Sequence, residues 1–466
     1  MFFRQYYLEC LSHASYLVGD ESSGEAVVVD PQRDITGYLD DGRNANLRIV
    51  GVVNTHVHAD FVSGHLELAE ATGAWIGFGA RARTEYPIRP LSHGDHLRLG
   101  EVDLEVLETP GHTWESISLL IRETPHADPY AVLTGDCLFI GDVGRPDPAA
   151  VGGVSAQADE LARAQYRSVH SVLLALPDPV RVMPAHGAGS ACGKNLSAEL
   201  TSTIGEQRLR NPAVRPMTEE EFVQRVTSGQ PAIPGYFGVD VLLNRQQRPV
   251  FDPDTDVEEM TGTRLFEALG AGARVLDTRD PEAFAAGHLR GAVNVGLDGR
   301  FAETAGMVLP HGEPIVVVTA GGRARECVLR LGRIGFDTVA GHFDATDGFP
   351  GEARELIESS ERFTVEDFER LRDEVTVLDV RNAGEREAGA ITGSRHLPLA
   401  ELARRHTELP PDRPIVVYCA GGWRSSVAAS LLRTHGHRDV TDLRGGFAAW
   451  QTTSRSPRPC TSPGER

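Results

Sequence analysis

The stretch Thr55–His65, THVHADFVSGH, follows the apolar run LRIVGVVN and determines which fold we expect for the first half of the chain. His56, His58 and Asp60 alternate along it, as metal ligands do where a strand runs out into a loop. A site for two metal ions would need another nitrogen ligand directly after the aspartate, and the sequence has Phe61 there. The pattern therefore predicts a metal site from which one ligand has been removed.

Three further candidate ligands lie downstream of this stretch. They are His112 in TPGHTWES, Asp136 in LTGDCLF and His186 in MPAHGAGS, and each follows an apolar, strand-like run. Loops at the ends of neighbouring strands converge on one edge of a sheet. One such histidine alone is more often structural, but repeated placement of His and Asp at strand ends favours a metal centre.

The order HxHxD followed by His, Asp and His resembles the metallo-β-lactamase superfamily, over about residues 1–245. This resemblance implies an α/β fold, an αββα sandwich. Two-metal hydrolases of the superfamily carry THxHxDH, whereas Phe61 cannot bind a metal. His56, His112 and Asp136 then form a two-histidine, one-carboxylate set, which suits non-haem Fe(II) with open positions. A single zinc ion would accept the same ligands.

The segment GDCLFIGDVGRPD, residues 135–147, resembles the persulfide dioxygenase branch of the superfamily, which carries Gly-Arg near its metal. That resemblance implies one Fe(II) per chain on the three ligands above, with zinc as the alternative metal. It places Arg145 where its charge would steady an anionic substrate. It also gives His58, Asp60 and His186 the task of orienting ligands or moving protons.

Cys192 lies close behind His186 in the glycine-rich loop HGAGSACGKN. One interpretation is that its thiol faces the metal pocket and carries sulfane sulfur. The other is a small buried side chain that packs under the loop. Cys137, next to Asp136 on an apolar strand end, is expected in the core.

The second half of the chain contains an internal repeat. RVLDTRDPEAFAAGHLRGAVNV resembles TVLDVRNAGEREAGAITGSRHL, and PIVVVTAGGRARE resembles PIVVYCAGGWRSS, each about a hundred residues further on. Alternating strands and helices predict two doubly wound parallel-sheet domains, which we expect over residues 256–355 and 362–455. We expect the tail, residues 456–466, to be disordered.

The motif PIVVYCAGGWRSS predicts a second reactive site. A buried strand, residues 415–418, delivers Cys419 into a glycine-containing loop that leads into a helix. Converging backbone N–H groups and the helix N-terminus favour the thiolate form of this cysteine. Arg424 adds a positive charge suited to thiosulfate or sulfite. The predicted anion-binding loop consists of Ala420, Gly421, Gly422, Trp423 and Ser425.

With LDVRNAGER upstream and DLRGGFAAW downstream, this motif resembles a rhodanese domain. The resemblance implies that Cys419 accepts sulfane sulfur as a persulfide and that Arg424 helps to bind the anionic donor or acceptor. The first copy reads VVVTAGGRARE, with Thr319 in place of the cysteine and Ala324 in place of the arginine. A hydroxyl cannot hold a persulfide, so we expect the first copy to be inactive.

The bulk properties agree with a multidomain enzyme acting on small molecules. At 466 residues and a formal net charge of −20, the chain should form two or three domains and should not bind nucleic acid or an anionic membrane. Its N-terminus lacks a basic region followed by an apolar run, and no later stretch is apolar enough to span a bilayer. We therefore expect a cytoplasmic protein, and superfamily resemblance favours a homo-oligomer.

Together the two resemblances predict a persulfide dioxygenase–rhodanese fusion. Such an enzyme would oxidise a low-molecular-weight thiol persulfide with O2 to sulfite and thiol, and would make or use thiosulfate in sulfide detoxification. Two alternatives stay open at this point. One is a zinc thioester hydrolase of glyoxalase II type fused to a sulfurtransferase. The other is a sulfur-relay protein in which only Cys419 turns over and the metal is structural.

Overall fold

The computed structural model describes residues 1–146, 155–349 and 351–455, so the predicted disordered tail, Cys460 included, lies outside the described residues. The chain divides into two compact units. The first comprises Met1–Thr255 with Val328–Asp337, and the second comprises Asp256–Cys327 with the described residues from Thr338 onward. Within the described ranges, no helix has both the length and the apolar content needed to cross a lipid bilayer.

Two six-stranded sheets dominate the first unit. The first sheet has the order β1-β2-β3-β4-β5-β6, with β1 (Phe2–Leu8), β2 (His13–Asp20), β3 (Glu25–Val29), β4 (Arg48–Val53), β5 (Trp75–Gly79) and β6 (Arg89–Leu91). The second has the order β12-β11-β10-β9-β8-β7, with β7 (His96–Leu99), β8 (Val102–Glu108), β9 (Ile117–Arg122), β10 (Ala131–Gly135), β11 (Arg181–Pro184) and β12 (Ser202–Thr203). The helices are α1 (Thr36–Asn44), α2 (His65–Thr72), α3 (Ser155–Arg167), continued by a π-helical segment (Ser168–Leu173), α4 (Ile204–Arg210), α5 (Glu219–Thr227) and α6 (Phe237–Arg245).

These elements form four layers because each sheet is apolar on both faces. Between the sheets, Tyr16 and Val18 of β2 pack in one core with Leu104 and Val106 of β8. The outer face of the first sheet is covered by α1 and α2, and the outer face of the second by helices that include α3 and α5. This arrangement confirms the predicted αββα sandwich.

The candidate ligands lie in loops at strand ends, as their sequence context predicts. The loop after β4 carries THVHADF, and those after β8, β10 and β11 carry His112, Asp136 and His186. Parallel pairing of β3 with β4, and of β10 with β11, brings the carboxyl ends of these strands to the same edge of their sheets.

The second unit contains two parallel sheets with helices between their strands. The first has the order β15-β13-β16-β17, with β13 (Arg274–Asp277), β15 (Val293–Asn294), β16 (Ile315–Thr319) and β17 (Val339–Asp344). The second has the order β19-β23-β22-β20-β21, with β19 (Arg362–Phe363), β20 (Thr376–Asp379), β21 (Arg395–His396), β22 (Ile415–Tyr418) and β23 (Val440–Leu443). A small antiparallel pair consists of β14 (His288–Leu289) and β18 (Ile357–Glu358).

The remaining helices alternate with these strands, which confirms the predicted doubly wound repeats. They are α7 (Gly262–Gly270), α8 (Pro281–Ala286), α9 (Phe301–Val308), α10 (Ala324–Gly332), α11 (Val365–Leu371), α12 (Ala383–Glu387), α13 (Leu399–Arg405), α14 (Trp423–Thr434) and α15 (Gly446–Arg455), with 3-10 segments at Gly351–Leu356 and His406–Glu408.

Candidate metal centre and sulfur-transfer site

The structure brings His56, His112 and Asp136 together in the first unit. All three are buried, and one potential ligand atom from each lies within 4.8 Å of the others. Asp136 Oδ2 is 3.4 Å from Nε2 of His112 and 3.9 Å from Nε2 of His56. These separations are close to those between two ligands of one metal ion.

Hydrogen bonds fix which ring nitrogen of His56 is free. Thr55 Oγ1 donates its single proton to Asp30 Oδ2 at 2.9 Å. The same hydroxyl therefore accepts from Nδ1 of His56, also at 2.9 Å. The lone pair of His56 is left on Nε2, the nitrogen that faces Asp136.

His112 is fixed in the same tautomer by a backbone carbonyl. Its Nδ1 donates to the carbonyl oxygen of Arg145 at 2.7 Å, which leaves the lone pair on Nε2. His56 Nε2 and Asp136 Oδ2 are buried without a hydrogen-bond partner. Two imidazole lone pairs and a carboxylate thus converge with no proton between them, and this donor set fits Fe(II) or zinc.

Burial and neighbouring charges support this neutral state. Burial, reinforced by the imidazoles of His58 and His112, holds the pKa of His56 well below its usual range. Burial also lowers the pKa of His112. Neutral imidazole is the form that binds a metal, so protons do not compete strongly at these two nitrogens.

The loop that carries HxHxD is held by residues that the sequence interpretation missed. Asp30, with φ of 50°, accepts from the Thr55 N–H at 2.7 Å and from Nε2 of His58 at 3.0 Å. Asn244 donates to the carbonyl oxygens of His58 and Phe61 at 2.9 and 2.8 Å. The position of Asp30 at the end of an apolar strand could have indicated its role, whereas nothing near Asn244 in the sequence indicates one.

His186 lies beside the ligand group and contacts two carboxylates. Its Nδ1 donates to Asp136 Oδ1 at 2.8 Å, and its Nε2 is 2.7 Å from Asp60 Oδ2. Burial works to lower the pKa of His186, but Asp136 and Asp60 outweigh it and raise this pKa well above the usual range. The structure thus places His58, Asp60 and His186 around the three candidate ligands. The predicted roles of these residues in orienting ligands and moving protons stay predictions.

The Gly-Arg pair contributes its backbone to the metal centre. A Cβ on Gly144 would lie 2.0 Å from the carbonyl oxygen of Asp136 and 3.0 Å from Nδ1 of His112, so only glycine fits there. The next residue, Arg145, is buried, and its guanidinium donates to the carbonyl oxygen of Pro231 at 2.9 Å. A role of its charge toward a substrate stays a prediction.

The two cysteines near the metal centre have different surroundings. Cys137 packs in the core under the second sheet, where burial raises the pKa of its thiol to about 12. Cys192 is also buried, but its sulfur lies within 4.8 Å of ligand atoms of Asp60 and His186. His13, which the sequence interpretation did not single out, packs against Phe61, with ring centroids 4.1 Å apart and the rings tilted by 44°.

The sulfur-transfer motif forms a tight loop between β22 and α14. Cys419 is buried at the end of β22, and its sulfur accepts from the Gly422 N–H at 3.1 Å. The Ser425 hydroxyl lies 3.7 Å from the same sulfur. Gly422, with φ of 94°, caps α14, which begins at Trp423, while Ala420 and Gly421 complete the loop. A thiolate here would face backbone N–H and a helix N-terminus.

Arg424 is held by an acidic partner. Its two terminal nitrogens donate to the two carboxylate oxygens of Glu385, each at 2.7 Å. Burial favours a higher pKa for Glu385, but the paired guanidinium outweighs it and lowers this pKa. The arginine is therefore preorganised, and its predicted role in anion binding stays a prediction.

Comparison with known proteins finds similarities to both halves of the chain. The family model described as Rhodanese-like domain matches residues 263–344 and 364–453. The first half is similar to "Persulfide dioxygenase ETHE1, mitochondrial" from Homo sapiens, with 30% identity over 212 residues, covering 45% of this chain and 74% of that protein. It is also similar to "Hydroxyacylglutathione hydrolase" from Polaromonas sp., with 33% identity over 175 residues, covering 37% of this chain and 61% of that protein.

A solved structure covers more of the molecule. It is a metallo-beta-lactamase from Staphylococcus aureus, with a TM-score of 0.66 and 32% identity, and the match covers 74% of this chain and 98% of that chain. The chain therefore belongs to the persulfide dioxygenase family of the metallo-β-lactamase superfamily and carries two fused rhodanese-like domains, the first without the catalytic cysteine.

Proposed function

We propose that the protein oxidises a low-molecular-weight thiol persulfide with O2 to sulfite and thiol, and that its last domain transfers sulfane sulfur to make or use thiosulfate. The oxidation balances as RSSH + O2 + H2O → RSH + HSO3⁻ + H⁺. The terminal sulfur loses four electrons to O2, and water supplies the third sulfite oxygen. The physiological role that follows is detoxification of sulfide and persulfide.

The observation that carries this proposal is the convergence of two imidazole lone pairs on one unpartnered carboxylate oxygen. His56, His112 and Asp136 would hold one Fe(II), which would supply the oxygen activation when bound. The similarity to a human persulfide dioxygenase supports this chemistry. Phe61, at the position that ligates a second metal in the two-metal hydrolases, supports a single-iron centre.

The surrounding residues would keep this donor set rigid during turnover. Thr55 and the backbone of Arg145 hold the Nδ1 protons of the two histidine ligands, so neither ring can rotate without losing a buried hydrogen bond. His186 holds a proton against Asp136 Oδ1 and fixes which carboxylate oxygen faces the metal. Burial of the group excludes bulk water from the reacting sulfur.

The rhodanese reaction would use Cys419 as the nucleophile. Its thiolate attacks the outer sulfur of thiosulfate, the S–S bond breaks, and sulfite leaves with the electron pair. In the reverse direction, sulfite removes the sulfur from the Cys419 persulfide. The Gly422 N–H and the N-terminus of α14 stabilise the thiolate in both directions.

Oxygen uptake by the Fe(II)-loaded protein with glutathione persulfide tests the proposal, with sulfite and thiosulfate both quantified. Uptake should track iron content and stop after chelation, while sulfurtransferase activity persists. Asp136→Ala should bind no iron, and its oxygen uptake should be at least about a hundredfold lower. Cys137→Ser changes the neighbouring core residue and serves as the matched control. Absence of uptake in protein that retains iron would overturn the dioxygenase assignment.

Similarity to a hydroxyacylglutathione hydrolase favours one other candidate function, a zinc-dependent thioester hydrolase. Zinc-loaded protein would then hydrolyse a glutathione thioester without consuming oxygen. If metal removal lowers stability and leaves every activity intact, the protein is a sulfur relay with a structural metal.

We also propose a cytoplasmic location, supported by unpaired thiols at Cys10, Cys137, Cys192 and Cys419. We further propose a homo-oligomer, which sedimentation velocity would test.

A further inference from the structure

The first rhodanese-like repeat contains a cavity of about 450 Å³, although it lacks the cysteine. Loops that follow β13, β15, β16 and β17 line this cavity, so it lies at the carboxyl edge of a parallel sheet, where doubly wound folds bind ligands. Its volume lies in the range of sites for small molecules. Ala320 and Gly321 of the lining occupy the positions of Ala420 and Gly421 in the second repeat. The first repeat therefore has a ligand-sized space at the loop where the second carries its nucleophile.

One wall of the cavity comes from the second repeat, which belongs to the same compact unit. This wall is Trp423, the residue that follows Gly422, whose N–H contacts the Cys419 sulfur. A Cβ on Gly296 would lie 2.8 Å from Nε1 of Trp423, so the glycine leaves room for the indole ring. A molecule in the cavity would therefore touch the loop that carries the nucleophile.

Buried hydrogen bonds hold this wall against the first repeat. The Ser426 hydroxyl of α14 donates to Asn294 Oδ1 at 2.7 Å, and the Ser430 hydroxyl accepts from the Asn294 N–H at 2.9 Å. Asn294 Nδ2 in turn donates to the carbonyl oxygen of Arg279, a cavity residue, at 2.9 Å. The two serines and the asparagine are buried, so breaking these bonds would leave unpaired groups away from water. The helix that begins at Trp423 is thus fixed relative to the cavity.

The charged groups of the cavity have both signs. The Arg279 side chain is only 9% exposed; its Nε and Nη2 donate to Asp277, and its Nη1 makes no hydrogen bond within the described residues. That remaining guanidinium nitrogen is available to a carboxylate. At the rim, Arg323 pairs with Asp298 at 2.9 Å, and the exposed Asp280 adds a further negative charge. These groups suit an amino-acid group, which combines a carboxylate with an ammonium.

A bare inorganic anion fits this cavity poorly. The N–H groups of the first loop already have acceptors in the chain: Gly321 donates to the Thr346 hydroxyl at 2.7 Å, and Gly322 donates to Asp344 Oδ2 at 2.8 Å. The wall formed by Trp423 instead offers an aromatic surface. The cavity therefore favours an organic molecule that has both an apolar part and charged ends.

We propose that this cavity binds a low-molecular-weight thiol that carries an amino-acid group, and that it holds this thiol beside the catalytic loop for sulfur exchange with Cys419. The thiolate attacks the outer sulfur of the Cys419 persulfide, the S–S bond breaks, and the Cys419 thiolate leaves with the electron pair: Cys–S–SH + RS⁻ → Cys–S⁻ + RS–SH. The first repeat is then the binding module for the organic substrate of the second. The proposal rests on the sulfurtransferase part of the proposed function and is independent of the metal centre.

Two sulfur acceptors separate the cavity from the nucleophile in the full-length protein, with thiosulfate as the donor. Cyanide takes the sulfur as thiocyanate and is too small to need the cavity, whereas glutathione takes it as a persulfide. Ala283→Phe places a ring in the cavity and should raise KM for glutathione at least about tenfold, while unchanged thiocyanate formation shows that the variant is folded. Arg323→Ala removes a rim charge and should raise the same KM about threefold. Arg325→Ala, two residues further on and outside the lining, is the matched control.

Binding without chemistry gives a second measurement. S-methylglutathione has no free thiol, so calorimetry should show one equivalent bound per chain of the native protein and none in Ala283→Phe. An unchanged KM for glutathione in Ala283→Phe, or no S-methylglutathione binding to the native protein, would overturn the proposal. Absence of thiocyanate formation by the native protein would instead contradict the sulfurtransferase part of the proposed function and the exchange with Cys419, and calorimetry would still decide whether the cavity binds the amino-acid part of the thiol.

Discussion

The two rhodanese-like repeats share a scaffold and differ in what their loops hold. In each, an arginine two residues beyond a strand aspartate pairs with that aspartate: Arg279 with Asp277 at 2.6 Å, and Arg381 with Asp379 at 2.7 Å. Each also delivers its loop from a central, fully buried strand, β16 in the first repeat and β22 in the second. The scaffold therefore does not distinguish the repeat that carries the cysteine from the one that lacks it.

The difference lies in the partner of the loop N–H groups. In the second repeat Gly422 N–H donates to the Cys419 sulfur, whereas in the first the corresponding Gly322 N–H donates to Asp344 Oδ2 at 2.8 Å. The buried hydroxyl of Thr319 has no hydrogen-bond partner. The first repeat thus has no cysteine at the nucleophile position, and a carboxylate of its own chain accepts from the loop N–H that contacts sulfur in the second repeat.

A half-buried charge pair of the second repeat is also absent from the first. Arg424 and Glu385 of the second repeat correspond to Ala324 and Ala283 of the first. Removing both partners together avoids leaving one partly buried charge unpaired. The repeats therefore differ at several positions besides the nucleophile, so no single substitution should give the first repeat sulfurtransferase activity.

The largest effect should come from removing the one nucleophile. Cys419→Ser should lower thiosulfate sulfurtransferase activity by about a thousandfold or more, because a hydroxyl forms no persulfide. Cys10→Ser, a change at a half-buried thiol of the first unit, is the control and should keep full activity. Substantial activity in Cys419→Ser would mean that the first repeat is not inactive.

Restoring a thiol to the first repeat should fail. In a Cys419→Ser background, Thr319→Cys should keep less than about a hundredth of the native sulfurtransferase activity. The Gly322 N–H already donates to Asp344 and is not available to a thiolate, and removing one such donor from a catalytic site lowers the rate about a hundredfold. Adding Asp344→Ala, Ala283→Glu and Ala324→Arg should raise activity at least about tenfold. Thiosulfate turnover by the single Thr319→Cys change would contradict the comparison.

Breaking the Arg424–Glu385 pair of the second repeat should have a smaller effect on sulfurtransferase activity. Arg424→Ala should raise KM for thiosulfate by about tenfold with little change in kcat at saturation, since it removes a positive charge without touching the nucleophile. Arg424→Lys keeps the charge and loses the bidentate contact with Glu385. Its KM should therefore lie between those of the native protein and Arg424→Ala. Equal KM values in all three proteins would show that the pair is only structural.

The fold of both units could be predicted from the sequence because it rests on local patterns. Short β-branched runs ended by turn residues mark the strands, and the repeat offset of about a hundred residues marks the duplication. The placement of His56, His112 and Asp136 at one edge followed from the same logic, since each follows an apolar strand, whereas their selection as the three ligands rested on the family resemblance.

The supporting residues could not be predicted because their partners lie far away in the chain. Asn244 is 186 residues from His58, and its bond depends on how a distant helix packs. Asp344 is 22 residues from Gly322, and a carboxylate at the end of β17 has no sequence feature that predicts its partner. Such contacts follow from tertiary packing, which no local periodicity encodes.

The smallest effect should come from Asp344, the carboxylate that accepts a hydrogen bond from the loop of the first repeat. The hydrogen bond from the Thr346 hydroxyl, with that from the Gly322 N–H, lowers the pKa of Asp344 below its usual value. A depressed pKa means that ionised Asp344 stabilises the fold above the unfolded-state pKa of about 3.9, and that this stability is lost as pH falls through the folded-state pKa. Asp344→Asn should therefore lower the free energy of unfolding at pH 7.

This side chain is partly exposed, so solvent screening limits the loss to less than about 1 kcal/mol. The difference between Asp344→Asn and the native protein should shrink as the pH drops below about 4, because the carboxyl is then protonated first in the unfolded chain and, at its lower pKa, in the folded protein. Urea unfolding of both proteins across this range measures it, and Asp347→Asn, a nearby acidic residue outside the loop contact, is the matched control. A difference that does not change with pH would show that Asp344 acts through shape, and the first loop would then not be an anion site filled from within.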